Sequence, residues 1–273
     1  MPESPAVQAL VEFLDERITG REITEVDVVE FRIIKTRDRL PASLIGARIN
    51  GLRRFGKHAG LETTAGWLMI GFGRNGWIRW QAPGDPALDP RGPEVARIIL
   101  DDGAVMQLVD TGDFLAVTAS VVDAPTDVAG IAALGPDPLS ADFTADHLER
   151  ALGTRRKQIK ALLQEQTSLA GIGNAYSDEI LHRARIPLAT HAALLGTADR
   201  ERLFTAVVET MTTAARERRG LRPDELKQAK VSAMAVHGRG GEACPVCGAT
   251  IVDQTFGGAS AQSCPQCQPE HDN

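Results

Sequence analysis

Apolar positions recur along this chain at two spacings, and the change from one to the other divides it. Near the start, Val7, Leu10, Val11 and Leu14 return every three or four residues, which is one face of a helix. Ser4 is a favoured N-cap, Pro5 sits where its missing N–H costs nothing, and Gly20 closes the segment. A helix that begins this early fixes residues 2 and 3 in space, where a frayed tail is the usual expectation. From Glu22 to about Thr118 the pattern becomes one of short apolar runs: Ile23 to Ile34, Leu44 to Ile49, Leu61 to Phe72, Val95 to Leu100, Val105 to Val109 and Phe114 to Val117. Val and Ile are frequent in them, and Gly, Pro or Asp separate them. This pattern predicts an antiparallel β-sandwich of about eight strands.

Pro125, Gly130, Gly135 and Pro136 punctuate the stretch from Val122 to Asp137, which reads as a linker. Helical spacing then returns. Thr144 is an N-cap candidate, Leu148 and Leu152 share a face, and helices continue through Lys230 with breaks at Pro187, Gly196 and Gly220. Ile159, Leu162 and Leu163 mark an amphipathic helix running to Gln166. Thr167 to Gly173 cannot continue it, because Gly171 and Gly173 allow backbone angles and close approaches denied to other residues. Asn174 is then an N-cap, and Ala175 begins a second helix with Asp178 and Glu179 in its first turns. Such a turn collects free N–H groups at a positive dipole end, a site for an anion. A plain glycine-stopped helix hairpin would show the same periodicity.

The 273 residues suffice for two domains with cores, and a hydrophobic share of 43% is that of a globular protein. No apolar run reaches transmembrane length and the N-terminus lacks a signal-peptide pattern, so a cytoplasmic location without membrane contact is expected. The net charge of −6 argues against nucleic acid, but its distribution reverses that. Between Arg150 and Arg239 there are 16 Lys/Arg against 9 Asp/Glu, a basic segment in an otherwise acidic chain. A helical domain with solvated charged faces has similar counts. Arg216, Arg218 and Arg219 fit phosphate binding and the complementing of a helix C-terminus equally well.

All the cysteines fall near the C-terminus, as Cys244-Pro-Val-Cys247 and Cys264-Pro-Gln-Cys267. Two CxxC pairs at this separation predict one structural zinc, since each pair supplies two thiolates from one knuckle. Disulfides compete poorly in a reducing compartment.

Gly171-Ile-Gly-Asn-Ala-Tyr-Ser-Asp-Glu-Ile-Leu181 resembles the helix–two-turn–helix signature of the formamidopyrimidine-DNA glycosylase/endonuclease VIII family, and the likeness extends to both ends of the chain. It implies an α+β multidomain protein with a division at residues 1–121 (N-terminal helix and catalytic β-sandwich), 122–137 (linker), 138–235 (helix–two-turn–helix domain), 236–268 (β-hairpin zinc finger) and 269–273 (disordered tail). Carried over residue by residue, Pro2 is the nucleophile once Met1 is removed and Glu3 is the acid/base. Lys57, in Arg53-Arg-Phe-Gly-Lys-His58, contacts DNA phosphate near the reaction. Asn174 and the amides of Gly171 and Gly173, with Lys160 nearby, grip a further phosphate. The chemistry is reasonable from first principles. An N-terminal proline is a secondary amine with a pKa of about 7.7–8, partly unprotonated at neutral pH and able to form an iminium at a sugar carbon.

Three stretches depart from the family pattern. The His-Leu-Gly-Met-Ser/Thr-Gly hairpin appears as Gly71-Phe-Gly-Arg-Asn-Gly76, so histidine has become Gly71 and the wedge methionine Arg74. Asp-Pro-Arg-Arg-Phe-Gly appears as Asp110-Thr-Gly-Asp-Phe-Leu115, keeping Phe114 but replacing both arginines by Gly112 and Asp113. Gly-Gly-Arg-x-Thr in the finger appears as Gly257-Gly-Ala-Ser-Ala261, with Ala259 in place of arginine. Arg74 and Phe114 are then the candidates to fill the gap left by a flipped nucleotide. The resemblance implies a base-excision glycosylase with abasic-site lyase activity (β/δ-elimination), acting as a monomer on damaged double- or single-stranded DNA. A damaged-DNA-binding protein that kept the scaffold and lost catalysis is the alternative. The altered loops favour that alternative, and the intact Pro2, Glu3, Lys57 and Asn174 oppose it.

Overall fold

The computed structural model describes residues 2–86 and 93–269. The expected removal of Met1, and most of the expected disordered tail, fall outside those residues. The chain forms two compact units whose membership is not contiguous. One holds Met1–Pro2, Ala6–Ala133 and Arg218–Lys227, and the other holds Glu3–Pro5, Leu134–Glu217 and Gln228–Asn273.

The first unit is built on α1 (Ser4–Ile18) from Ala6 onward and on two four-stranded antiparallel sheets. The strands are β1 (Ile23–Val28), β2 (Ile49–Phe55), β3 (His58–Thr63), β4 (Gly66–Gly71), β5 (Gly76–Gln81), β6 (Glu94–Leu100), β7 (Val105–Asp110) and β8 (Thr118–Val122). One sheet has the order β1-β6-β7-β5 and the other β2-β3-β4-β8. Their inward residues, among them Leu52, Leu61, Ile70, Ile78, Ile98 and Leu108, share one core with Leu10 and Leu14 of α1. The number of strands agrees with the periodicity, but several borders move. Leu61 to Phe72 is a hairpin, turning at Gly66 with φ +110, rather than one strand. Leu44 lies in a 3-10 turn (Pro41–Leu44), and the strand begins only at Ile49. Residues 111–117 form a loop because the Asp110 carboxylate accepts the amides of Gly112, Ala116 and Val117, and the strand starts at Thr118.

Two further stretches have structure that their spacing does not show. Residues 122–137, read as a linker, include a 3-10 turn (Pro125–Asp127) and the short α2 (Ala129–Ala132). Residues 218–227 belong with the sandwich and not with the helices around them. Leu221 and Leu226 pack against its core, and Trp77 Nε1 donates to the Pro223 carbonyl.

The second unit contains α3 (Ala145–Leu152), α4 (Ile159–Leu163), α5 (Asn174–Ala184), most of α6 (Thr197–Arg218) and α7 (Leu226–Ser232), followed by a hairpin of β9 (Val252–Phe256) and β10 (Ala259–Ser263). Leu148, Leu152, Ile159, Leu162, Ile180, Leu203 and Met211 lie in its core, so the helical faces read from the spacing are the buried ones. The first helix of the signature stops at Leu163 rather than Gln166. The second has Gly173 at its N-cap and Asn174 as its first residue, one position earlier than expected. Among the described residues no helix is long and apolar enough to cross a membrane.

Candidate active site and metal centre

The positive end of α5 holds an anion, and that anion belongs to the protein. Glu3, 1% exposed, accepts from the amide of Gly173, from Ala175 N at 3.2 Å and from Tyr176 N at 3.4 Å. Lys230 Nζ of α7 adds an ion pair at 3.0 Å. The two glycines of the signature make this docking possible. A Cβ on Gly173 would stand 2.7 Å from the Glu3 carboxyl carbon, and one on Gly171 (φ +87) would collide with the Ser4 hydroxyl. Ser4 N donates to the Gly171 carbonyl at 3.0 Å, completing the clamp on residues 3 and 4. Pro2, half-buried, is thus bonded to a residue held by four donors.

Three of the phosphate ligands that the resemblance implied have partners within the protein. The Gly173 amide is taken by Glu3, and the Gly171 amide donates to Gln166 Oε1 at 2.8 Å. Lys160 is completely buried, and its ammonium is shared among the Asn174 carbonyl (3.1 Å), Ser177 Oγ (2.8 Å) and Asp178 Oδ1 (2.6 Å). Burial lowers its pKa, while Asp178 and then Glu3 oppose the shift by favouring the charge. Lys160 therefore braces the first turn of α5 from inside and faces no solvent. Asn174 remains half-exposed, with its side-chain amide donating to the Ser260 carbonyl of the finger at 2.7 Å. Asp178 and Glu179 extend the brace. Asp178 Oδ2 meets His237 Nδ1 at 2.7 Å and Gln262 N at 3.2 Å, and Glu179 accepts the amides of Ala235, Val236 and His237.

Much of the basic excess of this segment is paired with carboxylates of the protein itself. Arg155, then Lys157 and Ser168, hold the Glu165 carboxyl down at about 2. Arg183 pairs with Glu209, Arg200 with Glu149, Arg202 with Asp199 and Arg239 with Glu242. Arg218 is buried, which removes it from the phosphate candidates, whereas Arg219, paired with Glu12, and Arg216 stay exposed.

In the first unit, Lys57 lies half-buried in the turn between β2 and β3. His58 follows it. Burial lowers the imidazole pKa, its bond to the Phe55 carbonyl opposes this, and the Lys57 charge adds to the lowering. Its ring lies over Gly71, where a Cβ would be 3.1 Å from His58 Cδ2. Arg74 is exposed at the tip of the β4–β5 turn, and Phe114, 86% exposed, lies in the β7–β8 loop. Thr111 N and Oγ1 both reach the Asn75 carbonyl at 3.3 Å, which ties these two loops together.

The four cysteines converge. Cys244 Sγ is 3.8 Å from Cys267 Sγ, and Cys247 Sγ is 3.4 Å from Cys264 Sγ. A tetrahedral ion with Zn–S of about 2.3 Å requires sulfurs about 3.8 Å apart, so the set fits zinc. Amide N–H groups of Val246 and Cys267 point at Cys244 and Cys264. Burial disfavours a thiolate at Cys244, but the amides of Val246 and Cys247, with His182, prevail and bring its thiol to about 6. Burial and neighbouring sulfurs push Cys264 and Cys267 upward, a conflict that a divalent cation at the centre would relieve. His182 Nε2 stands 3.3 Å from Cys244 Sγ and forms a compact group with Cys244, Cys264 and Cys267. The knuckle spacing assigns the ligands to the four sulfurs, and His182 then acts as a hydrogen-bond donor to one of them. Elemental analysis should give one zinc per chain, and Cys264→Ser should abolish stoichiometric zinc; a metal-free protein with an ordered C-terminus would contradict the assignment.

Lys230, Gln166 and His182 were not visible as site residues in the sequence. A lone Lys on a polar helix, a Gln after a helix and a His in a helix have no local signal, and each acquires its role from a distant partner.

Three family models match in order along the chain. They are the formamidopyrimidine-DNA glycosylase N-terminal domain over residues 1–117, the formamidopyrimidine-DNA glycosylase H2TH domain over 134–223, and the zinc finger found in FPG and IleRS over 241–269. The formamidopyrimidine-DNA glycosylase of Geobacter metallireducens is 33% identical over 273 residues, covering 98% of this chain and 100% of that protein. That of Parafrankia sp. is 33% identical over 291 residues, covering 98% of each. Among solved structures, Lactococcus lactis Fpg bound to DNA containing N7-benzyl-Fapy-dG superposes with a TM-score of 0.87 at 25% identity, over 98% of this chain and 100% of that one. MutM in complex with DNA containing carbocyclic 8-oxo-G gives 0.86 at 26% identity, with the same coverage. With relatives of this similarity along nearly its full length, and with the N-terminal, H2TH and zinc-finger models matched in order, the chain belongs to the formamidopyrimidine-DNA glycosylase family.

Proposed function

We propose that this protein is a base-excision DNA glycosylase with abasic-site lyase activity, working through the amine of Pro2. The observation that carries the reading is the fixing of Glu3, next in the chain to Pro2, by three amides at the start of α5 and by Lys230. Four donors on one carboxylate are more than anchoring requires, and they give a proton-transfer group a defined position. Solved relatives bound to damaged DNA support the choice of partner.

The damaged nucleotide leaves the stack, because C1′ is shielded inside a duplex. The Pro2 nitrogen lone pair forms a bond to C1′ as the glycosidic bond breaks, and that electron pair leaves with the base. Glu3, ionised at the outset, takes the N–H proton that Pro2 gives up on bonding to C1′ and passes it to the sugar ring oxygen as the ring opens, which leaves an iminium between Pro2 and C1′. The iminium acidifies C2′; loss of that proton expels the 3′ phosphate, and a second elimination expels the 5′ phosphate. Water then releases the amine.

Lys57 and Asn174 supply phosphate contacts, and Arg74 and Phe114, on tied and exposed loops, occupy the vacated stack. His58 returns an imidazole to the space beside Gly71. Zinc holds the finger hairpin and takes no part in the chemistry. The protein acts as a cytoplasmic monomer. Gly112 and Asp113 cannot make the bidentate base contact of an arginine, a difference of about 1–3 kcal/mol in discrimination. The test is strand cleavage by the mature protein on duplexes carrying an abasic site, a formamidopyrimidine, an oxidised pyrimidine or 8-oxoguanine opposite cytosine. Cleavage at the abasic site and at a damaged base is expected, with the 8-oxoguanine:cytosine duplex about tenfold slower or worse. Uncleaved abasic DNA would contradict the reading.

A further inference from the structure

The Glu3 carboxylate has no lone pair to spare. Two oxygens offer about four acceptor sites in all. Oε2 receives the amides of Gly173 and Tyr176, and Oε1 receives Ala175 N and Lys230 Nζ. For Glu3 to take up a proton, one donor must let go. The three amides cannot, since they are backbone at the start of α5. Lys230 can, because it reaches Glu3 by a flexible side chain from α7, is 16% exposed, and has the Tyr176 ring 5.3 Å from its nitrogen as a neighbouring surface. We propose that Lys230 is the positioning residue that governs the Glu3 proton: it holds the carboxylate ionised before reaction and withdraws when Glu3 accepts a proton. This rests on the glycosylase/lyase reading of Pro2 and Glu3.

The other titratable groups facing Glu3 do not substitute for it. Lys160 of α4 senses the Glu3 charge but gives its own hydrogen bonds to Asn174, Ser177 and Asp178. Asp178 is bound to Lys160 and His237, and Tyr176 of α5 meets Glu3 through its backbone amide. The Pro2 amine, adjoining in the chain, is the nucleophile.

The experiment measures single-turnover cleavage of a pre-formed abasic-site duplex against pH, using mature wild type, Lys230→Met, Lys230→Gln, Lys230→Arg and Glu3→Gln. The limb of the profile that Glu3→Gln removes belongs to Glu3. Loss of a cation at this distance should move that limb to higher pH by about one to three units in Lys230→Met and Lys230→Gln, and Lys230→Arg should restore it. In a Glu3→Gln background, Lys230→Met should change nothing further. Gln keeps a donor without the charge, so a folding defect in the Met variant leaves the Gln variant to decide. Lys230 variants whose profile superposes on wild type, a Glu3→Gln profile that loses no limb, or an equal loss in the Glu3→Gln background would each overturn the proposal. If wild type cleaves and forms a borohydride adduct, such a result counts against Lys230 alone. If wild type does neither, the enzyme reading falls, and this proposal with it.

Discussion

Lys160→Met should destabilise the helical unit by about 3–5 kcal/mol, the range found when one partner of a buried ion pair is removed. Lys160 and Asp178 are both fully buried and meet at 2.6 Å. Methionine fills much of the volume, so the cost is electrostatic: it leaves Asp178 charged in a dry interior with His237 and the Gln262 amide as its remaining partners. The Asn174 carbonyl and Ser177 hydroxyl lose a donor in the same step. Lys160→Met/Asp178→Asn should regain most of the loss, because an amide can still accept from Gln262 without carrying a charge. Thermal denaturation of the three proteins checks this, and a single variant that melts with wild type would show that the pair contributes nothing. The effect reaches the active site as well. The turn that Lys160 braces carries the amides that hold Glu3, so the single variant should also cleave abasic DNA more slowly.

The sequence made legible what is written in local patterns. The two cysteine knuckles, the helical faces ending in Leu152 and Leu163, and the anion-binding character of the turn at Gly171 and Gly173 could all be read from spacing. The anion itself could not, because Glu3 lies 170 residues from Gly173 and nothing local links them. Without that partner, spacing reads the turn only as a set of free amides at a positive dipole end. Strand β5 forms no continuous apolar run because Arg79 and Gln81 interrupt it, although Ile78 and Trp80 alternate inward as a half-buried strand requires. Residues 218–227 read as a continuation of the helices, and only the packing of Leu221 and Leu226 reveals where they belong. Lys230 illustrates the limit most sharply: its importance depends on one contact with the far end of the chain.

Blocking the Pro2 amine should abolish catalysis while leaving the fold intact. Pro2 precedes α1, so a residue or tag added at its amine does not interrupt that helix. An amide nitrogen has no available lone pair and cannot form the iminium. Retained Met1 should therefore reduce strand cleavage to background while zinc content and melting stay at wild-type values. Pro2→Gly keeps a primary amine on a looser backbone, and activity should fall without vanishing. In the mature protein, rates should decline as pH drops below the amine pKa of about 7.7–8, since the unprotonated form attacks and protonation removes it. Borohydride trapping on an abasic-site duplex examines this claim most directly, because reduction fixes the iminium as a stable covalent bond. The mature protein should yield an adduct whose DNA is attached to the N-terminal peptide at Pro2, and the Met1-retaining protein should yield none. An adduct of equal yield in the blocked protein would assign the nucleophile to another residue such as Lys57, and no adduct from the mature protein would remove the enzyme.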